Sequence, residues 1–159
     1  MERWGADSPA EKGKAMMVVA DILRRKGAAV YSISPDATVL EATQAMNSYR
    51  VGCLVVTQGG AMRGILTERD LLTRVLAVEL DPRETLVRDV MTREIVVCGL
   101  DACVRELQVA MHERRIRHVP VKDEAGGLCG LVSIGDLNAV RADELAGTVE
   151  ALEMYIARG

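Results

Sequence analysis

Thr67-x-x-Asp70 and Ser133-x-x-Asp136 each set a hydroxyl three residues ahead of a carboxylate, inside the stretches GILTERD (64–70) and GLVSIGD (130–136). At the start of a helix this pair forms a capping box, which needs no ligand. Two details point further. The box favours the longer Glu or Gln, whereas both copies use Asp, and a Gly (Gly64, Gly130) stands three residues before each hydroxyl. The strand is expected to end at that Gly, where backbone comes close to something. A helix N-terminus carries free N–H groups and partial positive charge, which suits a phosphate, and the hydroxyl adds a donor. A carboxylate one turn into the helix accepts hydrogen bonds from the two neighbouring hydroxyls of a ribose, as an acidic residue does in dinucleotide sites. An apolar slot between strand and helix is left for a base.

The elements that must position these pairs come as a tandem repeat. Residues 34–56 lie on 99–121 at a constant offset of 65: Thr38 falls on Cys103, Glu41 on Glu106, Met46 on Met111 and Val56 on Val121. One extra residue in KDEAGGL (122–128) then brings the two turns into register, and VADIL (19–23) resembles VRDVM (87–91). Repetition at this length means two similar units, neither able to cover its apolar face alone. Val39, Ala42, Ala45 and Met46 keep helical spacing, as do Val104, Leu107, Ala110 and Met111. CLVV and HVPV read as strands, MRGIL and LCGLV as their hairpin returns, and LLTRVLAVEL and DLNAVRADEL as the helices that the turns open. Each unit is therefore strand–helix–strand–strand–helix, an α+β arrangement with helices on one face of a small sheet. Leu145, Val149, Leu152 and Ile156 form an a/d-like stripe, read as packing on the chain's own core or as a subunit contact.

Composition limits the function classes. With 49% apolar and 27% charged residues the chain is of soluble globular type, and with one Trp, three Tyr and no Phe its core rests on aliphatic side chains. A net charge of −3 argues against a broad nucleic-acid surface. The charged opening MERWGADSPAEKGK leads into no long apolar run, so neither a signal peptide nor a membrane span is expected, and a cytoplasmic location is. The four cysteines form no CxxC pair and have no His at ligand spacing, the pattern of reduced thiols and no metal site.

SPDATVLEA, GILTERDLL, VRDVMT, RRIRHVPV and GLVSIGDL, in this order and as a repeat, resemble the cystathionine-β-synthase (CBS) domain pair over residues 15–145. The resemblance implies a pseudo-two-fold pair of CBS motifs (15–78 and 87–145) joined by a linker (79–86), with extensions at 1–14 and 146–159. It implies two clefts that take AMP, ATP, NAD(H) or S-adenosylmethionine, with Asp70 and Asp136 holding ribose and Thr67 and Ser133 touching phosphate. It also places Arg117 and His118 where the family presents basic groups to phosphate, and Tyr31, Ile33 and Val97 on first strands beside the base. For those three residues a core role is the default reading, and a pocket role, partly through backbone carbonyls, is the alternative. The first copy carries Gly52 and Cys53 at the positions of Arg117 and His118, so an asymmetric pair is expected. His118, with an ordinary pKa near neutrality, is either a phosphate ligand or a neutral strand residue.

The expected function is a non-enzymatic sensor, often homodimeric in this family. It would signal in trans to an unknown regulated protein through segment 1–18 or the last helix. The alternative is a scaffold or dormancy-type protein that has lost the ligand. Catalysis would need a nucleophile and base in reach; Cys103 and His118 qualify by type alone, and Cys103 is read as packing.

Overall fold

A computed structural model describes residues 2–4 and 16–157. The chain runs β1 (Glu2–Trp4), α1 (Val19–Lys26), β2 (Ser32–Ile33), α2 (Val39–Tyr49), β3 (Cys53–Gln58), β4 (Ala61–Thr67) and α3 (Glu68–Arg74). After a 3-10 turn at Leu76–Val78 come α4 (Val87–Val90), β5 (Val96–Gly99), α5 (Val104–Glu113), β6 (His118–Lys122), β7 (Leu128–Ser133) and α6 (Ile134–Ala157). Each half holds the expected strand–helix–strand–strand–helix, preceded by one more helix, α1 or α4. The stretch read as one helix, LLTRVLAVEL, breaks at Val75 between α3 and the 3-10 turn, while its counterpart continues through the 24 residues of α6.

The halves form two sheets, β2-β3-β4 and β1-β5-β6-β7. In each, a parallel pair precedes an antiparallel hairpin, with Val55 beside Ile65 in the first and Val119 beside Val132 in the second. Even the register shift recurs, after Val56 and after Val121. β1 adds a parallel strand outside β5 that no sequence pattern announced.

Side chains alternate between faces along each strand. Leu54 and Val56 of β3 enter a core with Val39, Met46 and Leu66, whereas Cys53 and Val55 turn the other way. There they meet Ile65, Ile95 and Val97, so the inner faces of the two sheets share one apolar layer. Helices cover the outer faces.

The leading helices are exchanged. α1, at the head of the first repeat, packs with Val19, Ile22 and Leu23 into the second-repeat core beside Leu107, Val119 and Leu137. α4, at the head of the second repeat, packs with Val87, Val90 and Met91 into the first-repeat core. Paired backbone bonds fix both crossings: Val19 N–H to Ala102 O and Val104 N–H to Met17 O, then Val87 N–H to Ala37 O and Val39 N–H to Thr85 O, all 2.8–3.0 Å. This explains the repeated glycine. Gly64 and Gly130 lie inside β4 and β7, not at strand ends. A Cβ on Gly64 would stand 2.7 Å from the Thr92 carbonyl oxygen and 2.8 Å from Met91 Sδ, and one on Gly130 would stand 2.6 Å from Leu23 Cδ1. The close approach is by the other repeat's helix.

Candidate cleft between the repeats

Thr67 is in extended conformation (φ −119°) ahead of α3, and its Oγ1 accepts the Asp70 N–H at 3.3 Å. Asp70 reaches back, accepting the Thr67 N–H at 2.9 Å and the Thr67 hydroxyl at 2.8 Å through Oδ2. Ser133 and Asp136 repeat the arrangement, with Asp136 Oδ2 accepting the Ser133 N–H at 2.7 Å and its hydroxyl at 2.8 Å. The shorter carboxylate therefore completes both capping boxes, and its length is no mark of a ligand.

Beyond the box the two carboxylates diverge. Asp70 is 6% exposed; its Oδ1 accepts the Thr92 hydroxyl at 3.0 Å and faces Arg74 Nη1 at 3.5 Å. Arg74 in turn donates to the Val90 and Met91 carbonyls that end α4. Asp136 keeps a side chain 23% exposed, and its Oδ2 meets the Lys26 ammonium at 2.7 Å. Burial alone would raise the Asp136 carboxyl; the Lys26 ammonium and the Ser133 donors outweigh it and hold the pKa below the ordinary value.

A cavity of about 470 Å³ opens at Asp136. One wall comes from the end of α1 and the end of α2, with Lys26, Tyr31, Tyr49, Arg50 and Gly52; the other brings His118, Leu131, Ser133 and Asp136. Tyr31 and Tyr49 stack with ring centroids 4.3 Å apart. Gly27, left-handed at φ 88°, turns the chain out of α1 along this wall. At Gly52 a side chain would meet the Glu68 carboxylate at 3.0 Å.

Of the residues singled out from sequence, Tyr31, His118, Ser133 and Asp136 meet in this cavity. Thr67, Asp70, Ile33, Val97 and Arg117 are not among its lining residues. Val97 is 2% exposed in the layer between the sheets, Ile33 packs against the first-repeat core, and Arg117 is exposed. Lys26, Tyr49 and Arg50 were not foreseen. Two of the three tyrosines of an aromatic-poor chain at a shared surface were the available sign.

The pKa of His118 is displaced toward the neutral strand residue, one of the two readings the sequence left open, and away from a group titrating at its ordinary value. Burial first, and then the Arg117 charge, push its pKa below 6.5 despite the opposing fields of Glu68 and Asp136. The imidazole is therefore neutral at pH 7, with one ring nitrogen donating and one accepting. Burial, with a smaller push from Asp70, raises the Cys53 thiol to about 12, so this buried sulfur stays a thiol. Cys98 is likewise raised to about 12, chiefly by burial. Among the described residues no group of three His, Cys, Asp or Glu side chains is placed to hold a metal, and no helix is long and apolar enough to cross a membrane.

The comparisons with known proteins agree with this architecture. The CBS domain family model matches residues 19–77 and 87–143. The mitochondrial CBS domain-containing protein CBSX3 of Arabidopsis thaliana is 34% identical over 160 residues, spanning 94% of this chain and 76% of that protein. A solved CBS-domain containing protein of Agrobacterium tumefaciens is 36% identical, covers 78% of this chain and 98% of its own, and superposes with a TM-score of 0.73. A CBS domain pair solved with 5′-methylthioadenosine and S-adenosyl-L-methionine is 21% identical, covers 81% of this chain and 98% of its own, and has a TM-score of 0.67, a likeness of fold. With two family matches in tandem, and with the crossed helices and paired sheets described above, the chain belongs to the CBS domain family as a CBS domain pair.

Proposed function

We propose that the chain is a non-catalytic regulatory module that takes an adenine nucleotide into the cleft at Asp136 and signals its presence to a partner protein. The observation that carries this reading is the cavity walled by both repeats, which gathers Ser133, Asp136, His118 and the Tyr31–Tyr49 stack. Asp136 Oδ1 has no hydrogen-bond partner among the described residues, so it is open to the hydroxyls of a ribose. A ligand touching both walls shifts their relative position only by the difference in its affinity for the two arrangements. AMP, ATP and NAD(H) are the intended ligands, with S-adenosylmethionine as the alternative adenosyl compound. Asp70, with both oxygens engaged, supports occupancy of one cleft rather than two.

Leu145, Val149 and Ile156 are exposed on α6, which removes the own-core reading of the stripe at these positions and supports a homodimer; the Leu152 side chain lies outside the described residues. A second reading, a ligand-free scaffold, draws on the Lys26–Asp136 ion pair, which already occupies the carboxylate.

Titration calorimetry with AMP, ATP, NADH and S-adenosylmethionine separates the two. Saturable binding near one nucleotide per chain, weakened about tenfold or more by Asp136→Ala, is the expected result. Absence of binding at millimolar ligand establishes the scaffold instead.

A further inference from the structure

α2 and α5 end in the same Schellman closure. The Val51 N–H bonds the Met46 carbonyl at 3.0 Å and Arg50 N–H bonds Asn47 O at 3.3 Å; Ile116 to Met111 and Arg115 to His112 repeat the pair at 3.0 and 3.2 Å. The residue that closes this motif is left-handed and is ordinarily Gly, because a Cβ is strained there. This chain places Arg50 and Arg115 in it, each at φ 54°; among the described residues the other positive-φ positions are Glu79 and four glycines, Gly27, Gly59, Gly60 and Gly126. A side chain kept at a strained position points from geometry to use.

Arg50 lines the cavity next to Tyr49, one half of the aromatic stack. Two cations, Lys26 and Arg50, line that cavity, and two carboxylates stand near them, Asp136 in the lining and Glu68 beside Gly52. Lys26 is paired with Asp136 at 2.7 Å. His118 is neutral, for the reasons of burial and neighbouring charge given above. Among the described residues no carboxylate forms a salt bridge with Arg50, so its guanidinium is a lining cation that no ion pair holds. A planar fork of five donors fits a phosphate, and repels a sulfonium or ammonium group.

We propose that Arg50 is the specificity-determining residue of the cleft, reading the phosphate of a 5′-phosphorylated nucleoside and setting such ligands apart from neutral nucleosides and from S-adenosylmethionine. This rests on the nucleotide-binding reading and names its ligand class. The strain at φ 54° is retained because Gly would leave the cleft without its anion donor.

The test compares AMP with adenosine, which shares base and ribose and lacks the phosphate, on wild type, Arg50→Gly and Arg50→Lys by calorimetry, with S-adenosylmethionine as a third ligand. Wild type is expected to hold AMP at least about tenfold more tightly than adenosine, the scale of one charge-assisted hydrogen bond. Arg50→Gly brings that ratio close to one by weakening AMP while adenosine stays within about twofold, and Arg50→Lys keeps part of the preference. Because Gly relieves the left-handed strain, the thermal midpoint of Arg50→Gly stays level or rises, which separates lost binding from lost folding. An unchanged AMP-to-adenosine ratio in Arg50→Gly, or wild-type preference for adenosine or S-adenosylmethionine, overturns the role of Arg50 and leaves nucleotide binding standing. Failure of wild type to bind any of the three overturns both.

Discussion

Asp70→Ala and Asp136→Ala remove the same atom group from equivalent places, yet the structure assigns them different costs. At Asp70 the loss strands the Thr67 N–H and the Thr92 hydroxyl beneath a surface where the carboxylate was 6% exposed, and takes the nearby anion from Arg74. A stranded buried group costs about 1–3 kcal/mol, and the Thr92 hydroxyl is free to turn, so about 3 kcal/mol is expected in total. At Asp136 the carboxylate is 23% and Lys26 33% exposed. Water therefore replaces the lost acceptor for both the ammonium and the Ser133 N–H. The loss there is about 1 kcal/mol, the size of a partly exposed ion pair and one back-bond. With a urea slope of about 2 kcal/mol/M, the difference of about 2 kcal/mol separates the two unfolding midpoints by about 1 M. Far-UV circular dichroism in urea reads it directly. Nucleotide binding is expected to respond in the opposite order, strongly to Asp136→Ala and weakly to Asp70→Ala. Equal midpoints, or a larger loss in Asp136→Ala, would refute the claim that one carboxylate is architectural and the other available.

Stability also depends on pH with a defined sign. His118 and Asp136 both hold folded pKa values below their ordinary ones, so at these groups the unfolded chain binds protons more readily and acid destabilises the fold. The His118 share is full above 6.5 and is lost as pH falls through its lower folded value; the Asp136 share is full above 3.8 and goes later. Urea midpoints followed from pH 7.5 down to about 5 should decline in wild type and decline less in His118→Gln, and parallel slopes would contradict the burial of a neutral imidazole. The glycines give a further comparison. Gly64→Ala drives a Cβ against the Thr92 backbone oxygen, whereas Gly130→Ala meets the movable end of Leu23. About 2 kcal/mol is expected for the first and about 1 or less for the second, and the reverse order in thermal unfolding would argue against the exchanged-helix packing.

The repeat, the α+β units and the capped turns were legible because each rests on local pattern: period 3.6 in the helices, short apolar runs in the strands, a hydroxyl three residues before a carboxylate. What sequence comparison could not supply is which sheet a segment joins. VADIL and VRDVM resemble each other, and that resemblance is equally compatible with each helix staying at home or crossing over. The crossing shows only in the bonds from Val19 to Ala102 and from Val87 to Ala37. It is also why half the cleft was missed. Lys26, Tyr49 and Arg50 sit at helix ends, where periodicity fades; Lys26 reaches Asp136 because α1 belongs to the second repeat's core, while Tyr49 and Arg50 come to the same cavity from the end of α2. β1 was invisible for another reason: three residues carry no pattern.

The difference between the two carboxylates follows from the two exchanged helices having different lengths and different ends. α4 has four residues and stops at Val90; Thr92 then pairs with Ile65 in both directions at 2.9 Å and caps Asp70 with its hydroxyl, while Arg74 ties the α4 carbonyls to the same carboxylate. α1 has eight residues and runs on to Lys26 before Gly27 turns it away, so the position aligned with Thr92 is Arg24, an exposed side chain bonded to its own helix at Asp21. The position aligned with Arg74 is Val140, a core residue with no donor to offer. Two substitutions and one extra turn of helix therefore tie up both oxygens of Asp70 and leave Asp136 at an open cavity. Opening the Asp70 end should need both changes together. In Thr92→Val alone, Arg74 still faces Asp70, and a second nucleotide is expected to bind only after Arg74→Val is added. Calorimetric stoichiometry in the single and double variants reads the difference, and a second site appearing in Thr92→Val by itself would show that the hydroxyl, not the network, closes that end.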